Sequence, residues 1–271
     1  MKIAIAVLLI TYFSICFLFY IFQRSLLYFP QPADVVDTSA GLVKEISFEA
    51  GTGSGAETKK QMLSGWVLNP GQEKALIFYG GNASTVEIHI DFLTHVAPDY
   101  SVYLIPYRGY GNNQGKPTEQ ALYNDAVYIY QQIKKNHQDI SLMGRSLGTG
   151  VATYVASKYP VEKLILSTPY DSILNVAKSH YPWLPISWLL KDKFLSAERA
   201  GKIRAKTLIL IAENDETINR KNSEALVKKI DPQLLNYHVI LGATHNEIGD
   251  DLEYVSIIRE FLKAKKIANT K

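Results

Sequence analysis

The residues Gly144-Arg145-Ser146-Leu147-Gly148 have the G-x-S-x-G spacing of a nucleophile elbow, a turn between strand and helix so sharp that it lifts one hydroxyl clear of its neighbours. Ile140-Ser141-Leu142-Met143 precedes the pentapeptide as a short apolar strand, and Val151-Ala152-Thr153-Tyr154-Val155-Ala156 continues it as a helix. Strand and helix approach closely at such a turn, so only very small residues fit two positions to either side of the serine. Gly144 and Gly148 stand there. Ser146 is therefore a candidate nucleophile. A hydroxyl attacks a carbonyl efficiently only when a histidine removes its proton and a carboxylate orients that histidine, so two partners are required further along the chain.

Both can be found. Lys206-Thr207-Leu208-Ile209-Leu210-Ile211-Ala212 has the composition of a buried parallel strand, and Glu213-Asn214-Asp215-Glu216-Thr217 follows it directly. That puts a carboxylate at the strand's carboxyl end, where active-site loops of parallel sheets gather. Asp215, Glu213 and Glu216 all meet the requirement. The next strand, Tyr237-His238-Val239-Ile240-Leu241, leads into Gly242-Ala243-Thr244-His245-Asn246, so His245 lies on a glycine-opened loop after the last strand. Of the six histidines, His89, His95, His137 and His180 fall in polar helical or loop stretches and His238 lies within a strand. Only His245 has the position a general base needs.

The oxyanion of an acyl-transfer intermediate needs two backbone donors. The amide after the nucleophile, that of Leu147, is one. For the other, the strand Lys74-Ala75-Leu76-Ile77-Phe78-Tyr79 runs into Gly80-Gly81-Asn82-Ala83-Ser84, where paired glycines permit close backbone approach and the segment beyond opens a helix. The amide of Asn82 is the expected second donor. Asn82-Ala83-Ser84 also matches a glycosylation acceptor, but a sugar there would obstruct the site, so the match is read as accidental.

With these residues in place, the chain resembles the membrane-anchored serine α/β-hydrolases of the Bem46 type, a group often labelled serine aminopeptidase-like. The resemblance covers nearly the whole chain. The group's oxyanion segment usually reads His-Gly-Asn-Ala-Gly-Asn; here it is Gly80-Gly81-Asn82-Ala83-Ser84-Thr85, which keeps the backbone donor and loses the histidine side chain. Pro106-Tyr107-Arg108-Gly109-Tyr110-Gly111, with Gly115-Lys116-Pro117-Thr118-Glu119, is very similar to the loop after the group's next strand, and Tyr181-Pro182-Trp183-Leu184-Pro185 resembles its short cap. The resemblance implies the α/β-hydrolase fold and hydrolytic chemistry. Spacing and resemblance together favour Asp215 as the acid, with Glu213 and Glu216 as alternatives on the same loop.

The elements that must position these groups follow from periodicity. Strand-like runs at Ile46–Phe48, Leu63–Leu68, Ala75–Tyr79, Val102–Ile105, Ile140–Met143, Lys163–Leu166, Thr207–Ile211 and Tyr237–Leu241 alternate, from the third onward, with helix-length segments. Such alternation predicts a mostly parallel central sheet flanked by helices and joined by right-handed crossovers. Gly51-Thr52-Gly53-Ser54-Gly55-Ala56 reads as the hairpin loop between the first two strands. The chain of 271 residues contains no internal repeat and fills one hydrolase domain, residues 31–271, behind a membrane anchor and interfacial segment, residues 1–30.

From Ile3 to Phe22 there are twenty consecutive residues without a charge. At about 1.5 Å per residue such a helix spans a hydrocarbon core of roughly 30 Å. A cleaved signal peptide has an apolar region of about 7–15 residues ending in a small-x-small site. Here the run is longer and Gln23-Arg24-Ser25-Leu26-Leu27-Tyr28-Phe29-Pro30 follows it, with Leu26, Leu27, Tyr28 and Phe29 suited to the interface. Lys2 and the α-amino group precede the span, while Arg24 is the last cation before Lys44. The positive-inside rule then predicts a single-pass protein with its catalytic domain on the non-cytoplasmic side.

Composition excludes several other classes. A net charge of +3 without a recognition motif gives no basis for nucleic-acid binding. There is no metal-ligand spacing, phosphate loop or nucleotide fingerprint, so no cofactor or metal is expected. The sole cysteine, Cys16, lies inside the apolar run, where packing is its expected role. Arg259, Lys263, Lys265, Lys266 and Lys271 read as cations favouring the negative end of a terminal helix, with contact to anionic lipid as the alternative.

The chemistry expected is acyl transfer in two steps on an ester or thioester, with a small-molecule or lipid acyl group, or an acylated protein, as substrate. In the cap from Asp171 to Phe194, the apolar residues Tyr181, Trp183, Leu184, Pro185, Ile186, Trp188, Leu189 and Leu190 could line an acyl pocket or pack on the sheet. An aminopeptidase would need carboxylates in that cap to bind an ammonium. A non-catalytic membrane scaffold is the remaining alternative.

Overall fold

A computed structural model of the chain describes residues 1–39, 41–52 and 59–264, with the backbone alone for residues 51, 52, 59 and 60. Within them, one sheet carries eight strands: β1 Val43–Thr52, β2 Lys59–Leu68, β3 Lys74–Tyr79, β4 Tyr100–Leu104, β5 Ile140–Arg145, β6 Lys163–Ser167, β7 Lys206–Asn214 and β8 Leu235–Thr244. Their order is β1-β2-β4-β3-β5-β6-β7-β8. The pairs β1 to β2 and β2 to β4 are antiparallel, and every other pair is parallel. Each run expected as a strand lies in one of these, except that Val102–Ile105 runs one residue past the end of β4. Gly53–Ala56 of the expected hairpin loop lie outside the described residues, as do Lys265, Lys266 and Lys271.

The helices are α1 Lys2–Leu27, α2 Ile90–Val96, α3 Glu119–Ile133, α4 Leu147–Ala156, α5 Ile173–His180, α6 Ile186–Leu189, α7 Ser196–Ala200, α8 Arg220–Val227 and α9 Leu252–Lys263. The central strands are apolar on both faces because helices cover both. Ile77, Leu142, Leu164 and Ile209 pack with Leu122 and Ile129 of α3, Val151 and Val155 of α4 and Leu226 of α8. Leu76, Phe78, Met143 and Leu208 pack on the other side with Leu93 and Val96 of α2 and Tyr254 and Ile258 of α9. Burying each such leucine or isoleucine stabilises the fold by about 1.5–3 kcal/mol. Side-chain caps fix where several helices begin: Thr118 accepts from the Ala121 amide at 3.1 Å, Ser172 from Asn175 at 3.0 Å and Asp251 from Glu253 at 2.7 Å.

α1 is 26 residues long and has a mean hydropathy of 2.5 over its most apolar window, which makes it long and apolar enough to cross a membrane. Its first ten residues, Lys2–Thr11, are exposed. From Tyr12 onward it lies against the cap formed by α5 and α6, where Cys16 is buried among Leu184, Ile186 and Leu190. The cap's apolar residues have two expected destinations, an acyl pocket or the sheet; for these three the partner is α1.

Two expected loops are shorter than the sequence suggests. β7 runs on through Glu213 and Asn214, and β8 continues past Gly242, which has φ 72°, to Thr244. The pairing of Asn214 with Thr244 across an irregularity after Ala212 carries the ladder beyond the buried core, where hydrophobic alternation no longer marks it.

Candidate active site

The elbow is built by its own local geometry. Ser146 has φ 51° and ψ −119°, an unfavourable conformation for a residue with a side chain, held by its amide on Ser167 O at 3.0 Å. Tyr170 Oη donates to Leu147 O at 2.9 Å and fixes the next peptide. A Cβ on Gly144 would stand 2.5 Å from Gly148 O, and one on Gly148 would collide with the Tyr79 carbonyl, so neither position admits a larger residue. A serine before a helix ordinarily caps it. Ser146 makes no such bond, which leaves its hydroxyl for another partner.

That partner is His245. Its Nε2 lies 2.9 Å from Ser146 Oγ and its Nδ1 lies 2.8 Å from Asp215 Oδ2. Ser146 and His245 are 8% and 5% exposed, so the pair has little competing water. The other oxygen of Asp215 accepts the amides of Thr217 at 2.9 Å and Ile218 at 2.6 Å, which aims the carboxylate at the ring. The neighbouring carboxylates go elsewhere: Glu213 accepts the Gly242 amide at 2.8 Å and Glu216 the His245 amide at 3.3 Å. Both brace backbone, and neither meets the imidazole.

Leu147 opens α4, where the first amides have no intrahelical acceptor. Gly81 approaches the elbow closely, since a Cβ built on it would lie 3.8 Å from Ser146 Cβ. Asn82, next in the chain, is gripped from two sides. Tyr110 Oη donates to its carbonyl at 2.9 Å, and its side-chain Nδ2 donates to Leu27 O at 3.0 Å. Tyr107 Oη donates to Gly80 O at 2.9 Å. The Pro106–Gly111 segment thus supports the Gly80–Asn82 loop with two phenols. Burial raises both phenols above their ordinary range, so they remain protonated donors.

Two positioning contacts have no sequence signal. Arg145 Nη2 donates to the carbonyls of His245 at 3.3 Å and Asn246 at 3.0 Å, bracing the base's loop from inside the elbow. His180, at the end of α5, has Nε2 2.9 Å from Thr217 O and ties the cap to the loop of Asp215. Two other histidines have partners of their own: His137 Nε2 meets Tyr103 Oη at 2.8 Å, and His89 packs on the ring of Phe78. Among the described residues, no cluster of histidine, cysteine and acidic side chains could hold a metal ion.

The chain is similar to several known proteins. The family described as "Serine aminopeptidase, S33" matches residues 74–197. An uncharacterised Mycobacterium tuberculosis protein, Rv2307c, is 33% identical over 252 residues, spanning 89% of this chain and 87% of that protein. The lysophosphatidylserine lipase ABHD12 of Danio rerio is 31% identical over 194 residues, which cover 61% of this chain and 51% of the lipase. This chain therefore matches about half of that longer protein. The solved structure of the Pyrococcus furiosus esterase Pf2001 superposes with a TM-score of 0.69 at 18% identity, covering 88% of this chain and 97% of that one. At that identity the likeness is one of fold. Taken with the elbow, the extended match to the mycobacterial protein and the family match at its centre make this chain a member of the serine aminopeptidase S33 family of α/β-hydrolases.

Proposed function

We propose that the chain is a serine acyl hydrolase, tethered to a membrane by α1, that cleaves a carboxylic ester or thioester through an acyl-enzyme intermediate. The observation that carries this reading is the unbroken hydrogen-bond chain from Ser146 Oγ through His245 to Asp215 Oδ2, at 2.9 and 2.8 Å. In the forward step Ser146 attacks the acyl carbonyl as His245 Nε2 takes its proton, with Asp215 holding the ring by Nδ1. The amides of Leu147 and Asn82 receive the charge on the tetrahedral oxygen. His245 then protonates the leaving alcohol or thiol, and water, activated by the same imidazole, releases the acid.

An ester or thioester fits better than the peptide of the family's label. The segment from Asp171 to Phe194 contains two carboxylates, Asp171 and Asp192. Asp171 is engaged by Asn222, at 2.9 Å, and by Asn175. Asp192 is engaged by Arg24 at 2.9 Å and Tyr28 at 3.2 Å. Each already has its partner, so neither is free for a substrate ammonium. ABHD12 is named as a lipase and Pf2001 as an esterase, in keeping with acyl-oxygen cleavage.

Labelling by a serine-directed fluorophosphonate tests the reading. Wild-type protein should react and Ser146→Ala should not, while turnover of an acyl ester falls by about four to six orders of magnitude. Failure of the wild type to label would leave the non-catalytic scaffold. Turnover of aminoacyl-arylamides above that of acyl esters and thioesters would restore the aminopeptidase.

A further inference from the structure

We propose that the cap segment Tyr181–Leu190 is immersed in the same bilayer that α1 enters, as a second, non-spanning membrane element. The inference rests on the membrane reading of α1 and goes beyond it, because it follows from where along α1 the cap is attached.

The contacts begin early on the helix. Tyr12 Oη donates to Trp183 O at 3.2 Å, the ring of Phe19 lies 5.8 Å from that of Tyr181, and Cys16 is buried between them against Leu184, Ile186 and Leu190. Only Lys2–Thr11 precede the first contact, which at 1.5 Å per residue is about 15 Å of free helix. A hydrocarbon core needs about 30 Å. If Ile3–Phe22 spans that core, the residues packed on Tyr12–Phe19 lie within it. Helix length alone thus requires the cap to enter the membrane.

The composition of the segment meets that requirement. Tyr-Pro-Trp-Leu-Pro-Ile-Ser-Trp-Leu-Leu contains no charge, and its large side chains point outward as well as inward: Trp188 is 89% and Trp183 54% exposed. Charges resume at the level where the span should end. Lys191 Nζ sits 3.8 Å over the ring of Tyr20, and Arg24 pairs with Asp192 at 2.9 Å. An aromatic ring and basic side chains at one height are what an interface selects.

Most of the backbone bonding is compatible with it. Immersed peptide groups must be satisfied by protein, since lipid tails offer nothing. The amides of Tyr181, Leu184, Ile186, Trp188, Leu189 and Leu190 all donate to carbonyls of residues 177–186. Pro182 and Pro185 have no N–H to satisfy. The carbonyls of Trp183 and Leu189 accept from α1 itself, through Tyr12 Oη and Gln23 Nε2. Bonded to α1 on one side and, through His180, to the loop of Asp215 on the other, the segment links the height of the candidate site to the bilayer.

Tryptophan quenching tests this on the full chain. Two of the three tryptophans, Trp183 and Trp188, lie in the segment, and Trp66 in β2 serves as internal reference. The protein is reconstituted in phosphatidylcholine vesicles with or without bromine at mid-chain positions, and the vesicles are washed in alkali. Wild-type protein should lose the emission of two of its three tryptophans in brominated vesicles, and the conservative pair Trp183→Phe with Trp188→Phe should show no quenching. Emission equal in both kinds of vesicle, with the protein still retained after the wash, overturns immersion and leaves the anchor. A cross-linked dimer under those conditions would name a second copy as what covers Trp188, and would overturn it equally. Release of the protein by alkali refutes the anchor reading itself.

Discussion

Phe29 donates its backbone amide to the carbonyl of Asn82 at 3.1 Å, and Asn82 returns a bond from its side chain to Leu27 O at 3.0 Å. The end of the apolar helix is thereby sewn to the loop proposed to hold the oxyanion. A chain cut at residue 30 would lose both bonds, so the end of α1 has a structural part in the proposed site apart from any tethering.

Phe29→Pro removes the donor, and Tyr28, at φ −107° and ψ 123°, already has the extended backbone a residue before proline adopts. Loosening the oxyanion loop should lower kcat on a small soluble ester by about ten- to a hundredfold, with KM changed far less. Asn82→Ala should behave alike, since it removes the bond to Leu27 but keeps its own amide. Steady-state kinetics of the full chain check this, and unchanged kcat in both variants would show that Tyr107 and Tyr110 suffice to hold the loop.

Asp215→Asn should reduce turnover by about four orders of magnitude, because an amide cannot stabilise the imidazolium and favours the wrong tautomer. Combined with His245→Ala the losses should not add, since the two act as a unit. Glu213→Gln and Glu216→Gln should each stay within about tenfold of wild type, as their oxygens brace single amides outside the relay. Near-normal turnover of Asp215→Asn beside an inactive Glu variant would move the acid to that neighbour.

Much of this architecture is legible in the amino-acid sequence. The elbow, the strand alternation and the position of His245 are local patterns, set by backbone geometry within a few residues of each group. The rest depends on contacts between distant segments. Spacing leaves three carboxylates open because Glu213, Asp215 and Glu216 differ only in where their oxygens point, and that is decided by the Asx turn to Thr217 and Ile218 and by the pairing of β7 with β8. Arg145 reads as the variable residue of G-x-S-x-G, yet it holds the loop of His245, 100 positions away. Periodicity cannot assign the cap's apolar residues because their partner, α1, is remote in sequence: Gln23 lies 168 positions from its contact at Lys191.

Arg145→Ala should therefore lower kcat about tenfold while fluorophosphonate still labels Ser146, because the relay is intact but its loop is less well held. Arg145→Lys keeps the charge without the reach to both carbonyls and should recover only part of the loss. An unchanged kcat in Arg145→Ala would make the contact merely structural.

Acid should weaken the fold through His89. Burial, with the Arg145 guanidinium adding to it, pushes this imidazole down to about 3. In the unfolded chain a histidine titrates near about 6.5, so between those values the unfolded state binds more protons and stability rises with pH. The contribution is complete above the unfolded value and is lost as pH falls through the window, by at most about tenfold in the folding equilibrium per pH unit. Urea midpoints of His89→Gln should show a flatter dependence than wild type between these limits. Parallel curves would assign the acid sensitivity to other groups.

The last expectation concerns α1 and the side of the membrane on which Ser146 works. Twenty uncharged residues buried in lipid hold far more strongly than surface charge, so the full chain should remain with membranes through high salt and alkaline washing. Peptide mapping of the membrane-bound protein should still recover the run Ile3–Phe22, and its loss would identify the run as a cleaved leader. Lys2 and the α-amino group precede the span and only Arg24 follows closely, which favours an outward catalytic domain. Protease added to intact cells should then degrade the domain and abolish fluorophosphonate labelling. Protection until lysis, with a known outward protein digested in the same sample, would reverse the orientation and put the ester substrate on the cytoplasmic leaflet.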